Sequence, residues 1–283
     1  SFFTQFLLTI FHSLKLSHNM SNLNVALLPL EIKWGDKEAN LNAVKEAMTQ
    51  LHPATDLLVL PETFSTGFPA GMDKEAVRAM AERNTGHTIE FLKELANLHS
   101  VGIAGTYIAD SGGSLYNRAF FIEPGGGEVF ADKRHLFTMA SEQKVFSYGY
   151  DRLQVRFRGW NLAMVVCYDI RFPVWCRNVE NRYDALIAVA NWPIVRVDAW
   201  NKLLPARAIE NEAYVVAVDC KGVDAGGFEY DGSSAVIDYK GRTVVSEPTD
   251  DSPFIYAALA KEPLDRFRTK FPAWQDADDF KIL

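Results

Sequence analysis

The chain has 283 residues, 48% of them hydrophobic, and a formal net charge of −7, which is enough for one large α/β domain with a substantial core. The acidic balance and the absence of a basic run argue against nucleic acid as a partner and fit a soluble enzyme of small metabolites. Its three cysteines, Cys167, Cys176 and Cys220, lack metal-type spacing, so the expectation is a reducing cytoplasm, with no metal and no cofactor.

Residues 1–19 are rich in Phe and Leu, but the apolar run is too short to span a bilayer and has no basic start, so no membrane association is expected. Met20 looks like a natural start. Residues 1–19 therefore read as an extension that is not native, with an amphipathic surface helix as the alternative, and residues 20–283 as a single domain.

In chain order, 24–30 reads as a strand and 36–51 as a helix whose Leu41, Val44, Met48 and Leu51 share a face. Strand 56–60 follows, then a Gly/Pro loop, helices over 74–83 and 88–98, and strands 101–108 and 115–122. Residues 124–127, Pro-Gly-Gly-Gly, turn into strand 128–132. After a long loop, 153–157 and 160–166 form a hairpin across Arg158-Gly159. A further helix, strand 185–190, a helix over 197–212 and strand 213–219 come next. Pro205 should kink or shorten that last helix. A hairpin of 233–237 with 243–246 and a strand over 254–258 complete the pattern, a large mixed sheet system with helices outside.

Three strands end in reactive groups. The run 56–60 leads into Pro61-Glu62-Thr63-Phe64, strand 128–132 into Lys133-Arg134-His135, and strand 160–166 into Cys167-Tyr168-Asp169-Ile170-Arg171. α/β proteins gather their reactive groups at such exits. A base, a cation and a nucleophile thus stand at three strand ends. Taken singly, Glu62 reads as a cap, Lys133 as a surface charge and Cys167 as buried filler; their joint occurrence favours chemistry.

These blocks resemble the nitrilase, or carbon-nitrogen hydrolase, superfamily with its Glu-Lys-Cys triad, over roughly residues 24–258. The resemblance rests on Leu58-Val59-Leu60-Pro61-Glu62, on residues 132–137 and on Cys167-Tyr168-Asp169-Ile170-Arg171-Phe172-Pro173-Val174-Trp175, supported by Ala190-Asn191-Trp192-Pro193 and residues 206–211. The wording of the second and third blocks looks most like the omega-amidase branch, which hydrolyses the side-chain amide of 2-oxo acids such as 2-oxoglutaramate. The resemblance implies a four-layer α-β-β-α sandwich and a homodimer or higher homo-oligomer.

The chemistry then expected is thiol amidohydrolysis of a small carboxylate-bearing amide, with water as the second substrate. Glu62 takes the thiol proton, Cys167 attacks the carbonyl, and Lys133 with the backbone N–H of Tyr168 stabilises the oxyanion. Glu142 is the candidate for the family's second glutamate, although it lies closer to Lys133 in sequence than in most members; read blandly, it is a solvated loop carboxylate. Arg171 is a candidate for the substrate carboxylate or for a structural ion pair. Asn191 and Trp192 are candidates for pocket walls, and Phe64, Phe137 and Met139 for pocket lining or plain packing. Arg207, Glu210 and Asn211 read as fastening the helix to the sheet, and Cys176 and Cys220 as small apolar groups. Three rivals remain open: the same triad on a carbamoyl amine, an N-carbamoyl amino acid or a nitrile; a Cys167–His135 pair; and a catalytically silent protein of the same fold.

Overall fold

The computed structural model of the protein describes residues 22–249 and 251–282; the expected extension over residues 1–19 lies outside them. Strands β1 (Asn22–Leu27), β2 (Leu57–Val59), β3 (Gly102–Ser111), β4 (Ser114–Ile122) and β5 (Glu128–Asp132) build a first sheet, and β6 (Leu153–Phe157), β7 (Trp160–Val166), β8 (Ala185–Ala190) and β9 (Tyr214–Asp219) most of a second. A small hairpin of β10 (Lys221–Val223) and β11 (Glu229–Asp231) stands apart. Strands β12 (Ala235–Ile237) and β13 (Thr243–Val245) extend the second sheet, and β14 (Ile255–Ala260) returns to the first. The sheet orders are β14-β1-β2-β3-β4-β5 and β13-β12-β9-β8-β7-β6.

Side-chain alternation stacks these sheets. Leu23, Val25 and Leu27 of β1, with Leu57 and Val59 of β2, meet Leu162, Met164 and Val166 of β7 and Ile187 and Val189 of β8 in one core between the sheets. The intervening residues face outward. Ala26 and Leu58 pack under helices α1 (Lys37–Met48) and α3 (His87–His99), between which the short α2 (Lys74–Met80) falls in the chain. Leu186 and Ala188 pack under α5 (Val197–Asn211), beside the single turn α4 (Pro173–Cys176). Strands covered on both faces carry apolar residues at nearly every position, which explains why β2, β8 and β9 read as unbroken apolar runs. The architecture is the α-β-β-α sandwich expected from the resemblance.

Local signals account for the helix starts. Asp36 caps α1 by accepting from Ala39 N, and Asp73 caps α2 by accepting from Glu75 and Ala76 N. Helix α5 runs through Pro205 without being shortened. A helix α6 (Lys261–Lys270) was not foreseen. Its buried residues are Leu264 and Arg268, and its apolar stripe, Leu264 and Phe267, spans only one turn. Arg268 secures it, donating to Glu212 O and Asp184 Oδ1 at 2.8 and 3.0 Å.

Ile187 is fully buried between the sheets. Ile187→Ala is expected to lower the unfolding free energy by about 2–5 kcal/mol, the loss for a large-to-small change in a well-packed core. Urea unfolding measures it; a loss below about 1 kcal/mol would mean the two sheets do not pack tightly there.

Candidate active site

Glu62 and Lys133 leave the first sheet at one end. Strands β2 and β3 are parallel, and the two antiparallel steps through β4 return β5 to the same direction. Cys167 and Asn191 leave the second sheet from the parallel neighbours β7 and β8. The two exits face each other across the sandwich, because Asn191 N donates to Glu62 Oε2 at 3.0 Å and Asn191 Nδ2 donates to Thr63 Oγ1 at 3.0 Å.

At their centre lies the Lys133 ammonium. Its Nζ is 2.8 Å from Glu62 Oε1 and 3.1 and 3.0 Å from Glu142 Oε1 and Oε2. Glu62, Lys133 and Glu142 are 1%, 2% and 3% exposed, so Glu142 is no solvated loop carboxylate. Further donors complete the network: Asn117 Nδ2 reaches Glu62 Oε1 at 2.7 Å, and Phe137 N reaches Glu142 Oε2 at 2.5 Å.

Burial opposes the charge on Lys133, but Glu142 and Glu62 outweigh it and hold the ammonium well above its usual range, so it is charged throughout the neutral region. The Cys167 thiol moves the other way. Burial and then the negative charge of Glu62 raise it well above the ordinary thiol range, while Lys133 only partly opposes them. The resting sulfur is therefore a neutral thiol. Burial also raises Glu142, with Lys133 pulling it back.

Cys167 occupies a constrained turn. Its φ is 46°, in the left-handed region, and it starts a 3-10 turn over Cys167–Arg171. Such strain in a non-glycine residue persists only where its surroundings enforce it. Here Asp169 does so, its carboxylate accepting from Val166 N at 3.1 Å and from His135 N at 2.8 Å. The Tyr168 amide lies in the first turn, where backbone N–H groups have no partner inside the helix. His135 is otherwise occupied: its Nδ1 lies 2.8 Å from Asp169, its ring stacks on Phe172 at 3.7 Å, and it does not line the pocket.

The thiol opens into a cavity of ≈ 490 Å³ that Glu62 and Lys133 also line. Tyr168, Arg171, Asn191, Trp192, Phe137 and Met139 all border it. Trp192 also packs in the core against Trp200, so both readings of it hold. Arg171 has no ion pair among the described residues and lies 4.8 Å from the Trp192 ring centre, which removes its structural ion-pair reading. Glu142 reaches Lys133 from behind and does not border this cavity.

Phe64 must be corrected. It is fully buried in the layer between the first sheet and its helices, edge-on to Phe120, and does not line the cavity. Thr63, with a φ of 41°, turns the chain there and sends the next side chain away from the site. Arg207 and Asn211 fasten α5 to the segment after β7 rather than to the sheet, Arg207 Nε donating to Ile170 O at 2.9 Å and Asn211 Oδ1 accepting from Asn178 N at 2.8 Å, while Glu210 pairs with Arg207 within the helix at 3.0 Å. Asn117, Asp169, Gly149 and Arg196 were missed. Asp169 alone had a local signal, two residues beyond the cysteine; Asn117 sits unremarked within a strand.

Fold and site together define an amidohydrolase of the nitrilase superfamily. Residues 24–269 match the carbon-nitrogen hydrolase family, and the chain belongs to it. It is 38% identical to omega-amidase YafV of Escherichia coli over 263 residues, covering 93% of this chain and 100% of that one. It is 30% identical to a 2-oxoglutaramate amidase of Bacillus subtilis over 257 residues, covering 89% and 96%. Among solved structures, XC1258 of Xanthomonas campestris, a CN-hydrolase superfamily protein with an arsenic adduct in its active site, superposes with a TM-score of 0.87 at 34% identity, covering 93% and 99%. The protein is thus a hydrolase of non-peptide carbon–nitrogen bonds, and no helix among its described residues is long and apolar enough to cross a membrane.

Gly149 N donates to Lys133 O at 2.9 Å, and a Cβ there would stand 1.8 Å from Asp132 O. Gly149→Ala must therefore push β5 and Lys133 apart from this loop, with an expected stability loss of about 1–3 kcal/mol for overpacking and a fall in amidase activity. Thermal melting and ammonia release test this; a variant as stable and active as the parent would contradict it.

Proposed function

We propose that the protein cleaves the terminal amide of a 2-oxo acid amide, 2-oxoglutaramate or 2-oxosuccinamate, through a thioester on Cys167. The observation that carries the chemistry is the buried Lys133 ammonium between Glu62 and Glu142, beside a cysteine that opens to the cavity. The substrate class is supported by the relatives named for omega-amidase and 2-oxoglutaramate amidase activity and by Arg171, which borders the cavity with no ion pair among the described residues.

Because the thiol is neutral at rest, its deprotonation accompanies attack. Glu62 accepts the Sγ proton as Sγ bonds to the amide carbon, and the carbonyl oxygen becomes an oxyanion facing Lys133 and the Tyr168 N–H. Glu62 returns the proton to the amide nitrogen, the carbon–nitrogen bond breaks, and ammonia leaves a thioester. Glu62 then takes a proton from water, whose oxygen attacks the thioester. Collapse breaks the carbon–sulfur bond, and the proton returns to sulfur. Glu142 is a positioning residue in this scheme, fixing the charge and direction of Lys133. The reading takes residues 20–283 as one domain of a cytoplasmic homodimer. Free cysteines suit the first setting, and the exposed Val174 and Ile209 on the outer helical layer suit a second subunit.

Cys167→Ala and Cys167→Ser should each abolish ammonia release from 2-oxoglutaramate with folding intact by circular dichroism; appreciable turnover by both removes the thioester. A side-by-side panel of 2-oxo acid amides, N-carbamoyl amino acids, carbamoyl amines and nitriles separates the rival substrates.

Glu62→Gln should move two readouts in opposite directions. Removing its charge lowers the pKa of Cys167, since that charge is one of the causes raising it. Alkylation of Cys167 by iodoacetamide at pH 8 should then speed up, while hydrolysis falls by about 100-fold or more. Slower alkylation together with slower hydrolysis would show that Glu62 does not set the thiol's protonation.

A further inference from the structure

The wall of the cavity holds a second unpaired guanidinium, from an element outside the reactive cluster. Arg196 ends the 3-10 turn Ile194–Arg196 and begins the approach to α5. Its guanidinium carbon lies 5.2 Å from the ring centre of Phe137 and 5.7 Å from that of Phe228, so two aromatic faces hold it. The backbone is fixed as well, because Trp192 Nε1 donates to Arg196 O at 2.8 Å. Among the described residues no carboxylate forms an ion pair with Arg196.

The neighbouring acid in the cavity wall does not serve it. Asp224 borders the same cavity, but its Oδ1 accepts from Gly226 N and Phe228 N at 2.8 and 2.9 Å and its Oδ2 from Tyr230 Oη at 2.9 Å. That carboxylate is spent on shaping the loop that presents Phe228. A guanidinium stacked on ring faces keeps its in-plane N–H donors free, and their planar fork matches a carboxylate. Stacking also removes rotamer freedom in advance, so little entropy is lost when an anion arrives.

We propose that Arg196, clamped by Phe137 and Phe228, selects substrates that carry a carboxylate at the end remote from the scissile amide. This deepens the amidase reading above and rests on it. Arg171 belongs to the nucleophile's own turn, whereas Arg196 enters from beyond Trp192, and the indole lies between the two: one guanidinium over its face, the other residue's carbonyl bonded to its N–H. An acyl chain with its amide at Cys167 then points its far end along this wall. A neutral amide of equal length leaves the guanidinium without its anion.

The test compares glutaramate with 5-methylhexanamide, in which a neutral isopropyl group replaces the carboxylate at the same chain length. The measured quantity is the ratio of kcat/KM for the two amides. The parent enzyme should favour glutaramate, Arg196→Gln should lower the ratio roughly 10- to 100-fold, chiefly through KM for glutaramate, and Arg196→Lys should retain part of it. Melting temperatures of both variants separate selection from damage to the fold. A ratio unchanged in Arg196→Gln, with both activities intact or both reduced alike, would overturn the role of Arg196 while leaving the amidase reading standing. If the parent enzyme released ammonia from neither compound nor from 2-oxoglutaramate, both would fall together.

Discussion

The site depends on keeping one ammonium charged in a place without water. Moving such ions out of water costs several kcal/mol each, and attraction offsets this only when every lone pair and proton finds a partner. The protein supplies partners to the three charged groups from three further segments. Asn117 on β4 serves twice, its carbonyl accepting from Lys133 N at 2.9 Å and its side chain donating to Glu62 at 2.7 Å. The loop after β5 supplies Glu142 and the Phe137 amide that fixes it, and the exit of β8 supplies the Asn191 amide. Charge and position are set by the same contacts, so the ammonium reaches the pocket already oriented, with no reorganisation left for the reaction itself.

This network also bears on the protonation state of Cys167. Many reactive thiols are made anionic by a nearby cation. Here the nearest cation is already neutralised by two carboxylates, and the thiol stays protonated. A neutral thiol is a poor target for adventitious oxidants and alkylating agents. In the proposed mechanism it becomes nucleophilic only when an acceptor for its proton and an electrophile for its sulfur are present together, which couples activation to substrate. The left-handed turn at Cys167 serves the same end, lifting the sulfur out of the strand's pleat and toward the cavity, while Asp169 holds the strain in place.

How much of this was legible follows from which physical signals are local. Strand exits are local: an apolar run that stops at Glu62, Lys133 or Cys167 names its own end, and all three stand where those runs predicted. Glu142 was reachable only through family resemblance, since a loop carboxylate carries no pattern of its own. Phe64 was misplaced because its direction depends on one dihedral at Thr63, and a threonine does not advertise a positive φ. Asn117 and Gly149 matter through partners across a sheet and across a loop, and register of that kind is set by the whole sandwich rather than by neighbours in the chain. The helix Lys261–Lys270 went unseen for another reason: it is held in part by polar bonds from Arg268, and its apolar stripe spans only one turn.

Charge distribution within the cavity constrains how a substrate can lie. The reactive end carries one ammonium and two carboxylates and is net negative, so a substrate carboxylate is repelled there at short range and in a poorly solvated space. Arg171 and Arg196 also border the cavity, and neither forms an ion pair among the described residues. For a molecule with an amide at one end and a carboxylate at the other, these two fields agree on a single orientation, amide toward sulfur and anion toward the guanidinium groups. The reversed pose places like charges together at one end and leaves the arginines without a counter-charge at the other. In the proposed reading, orientation is selected by repulsion as well as attraction.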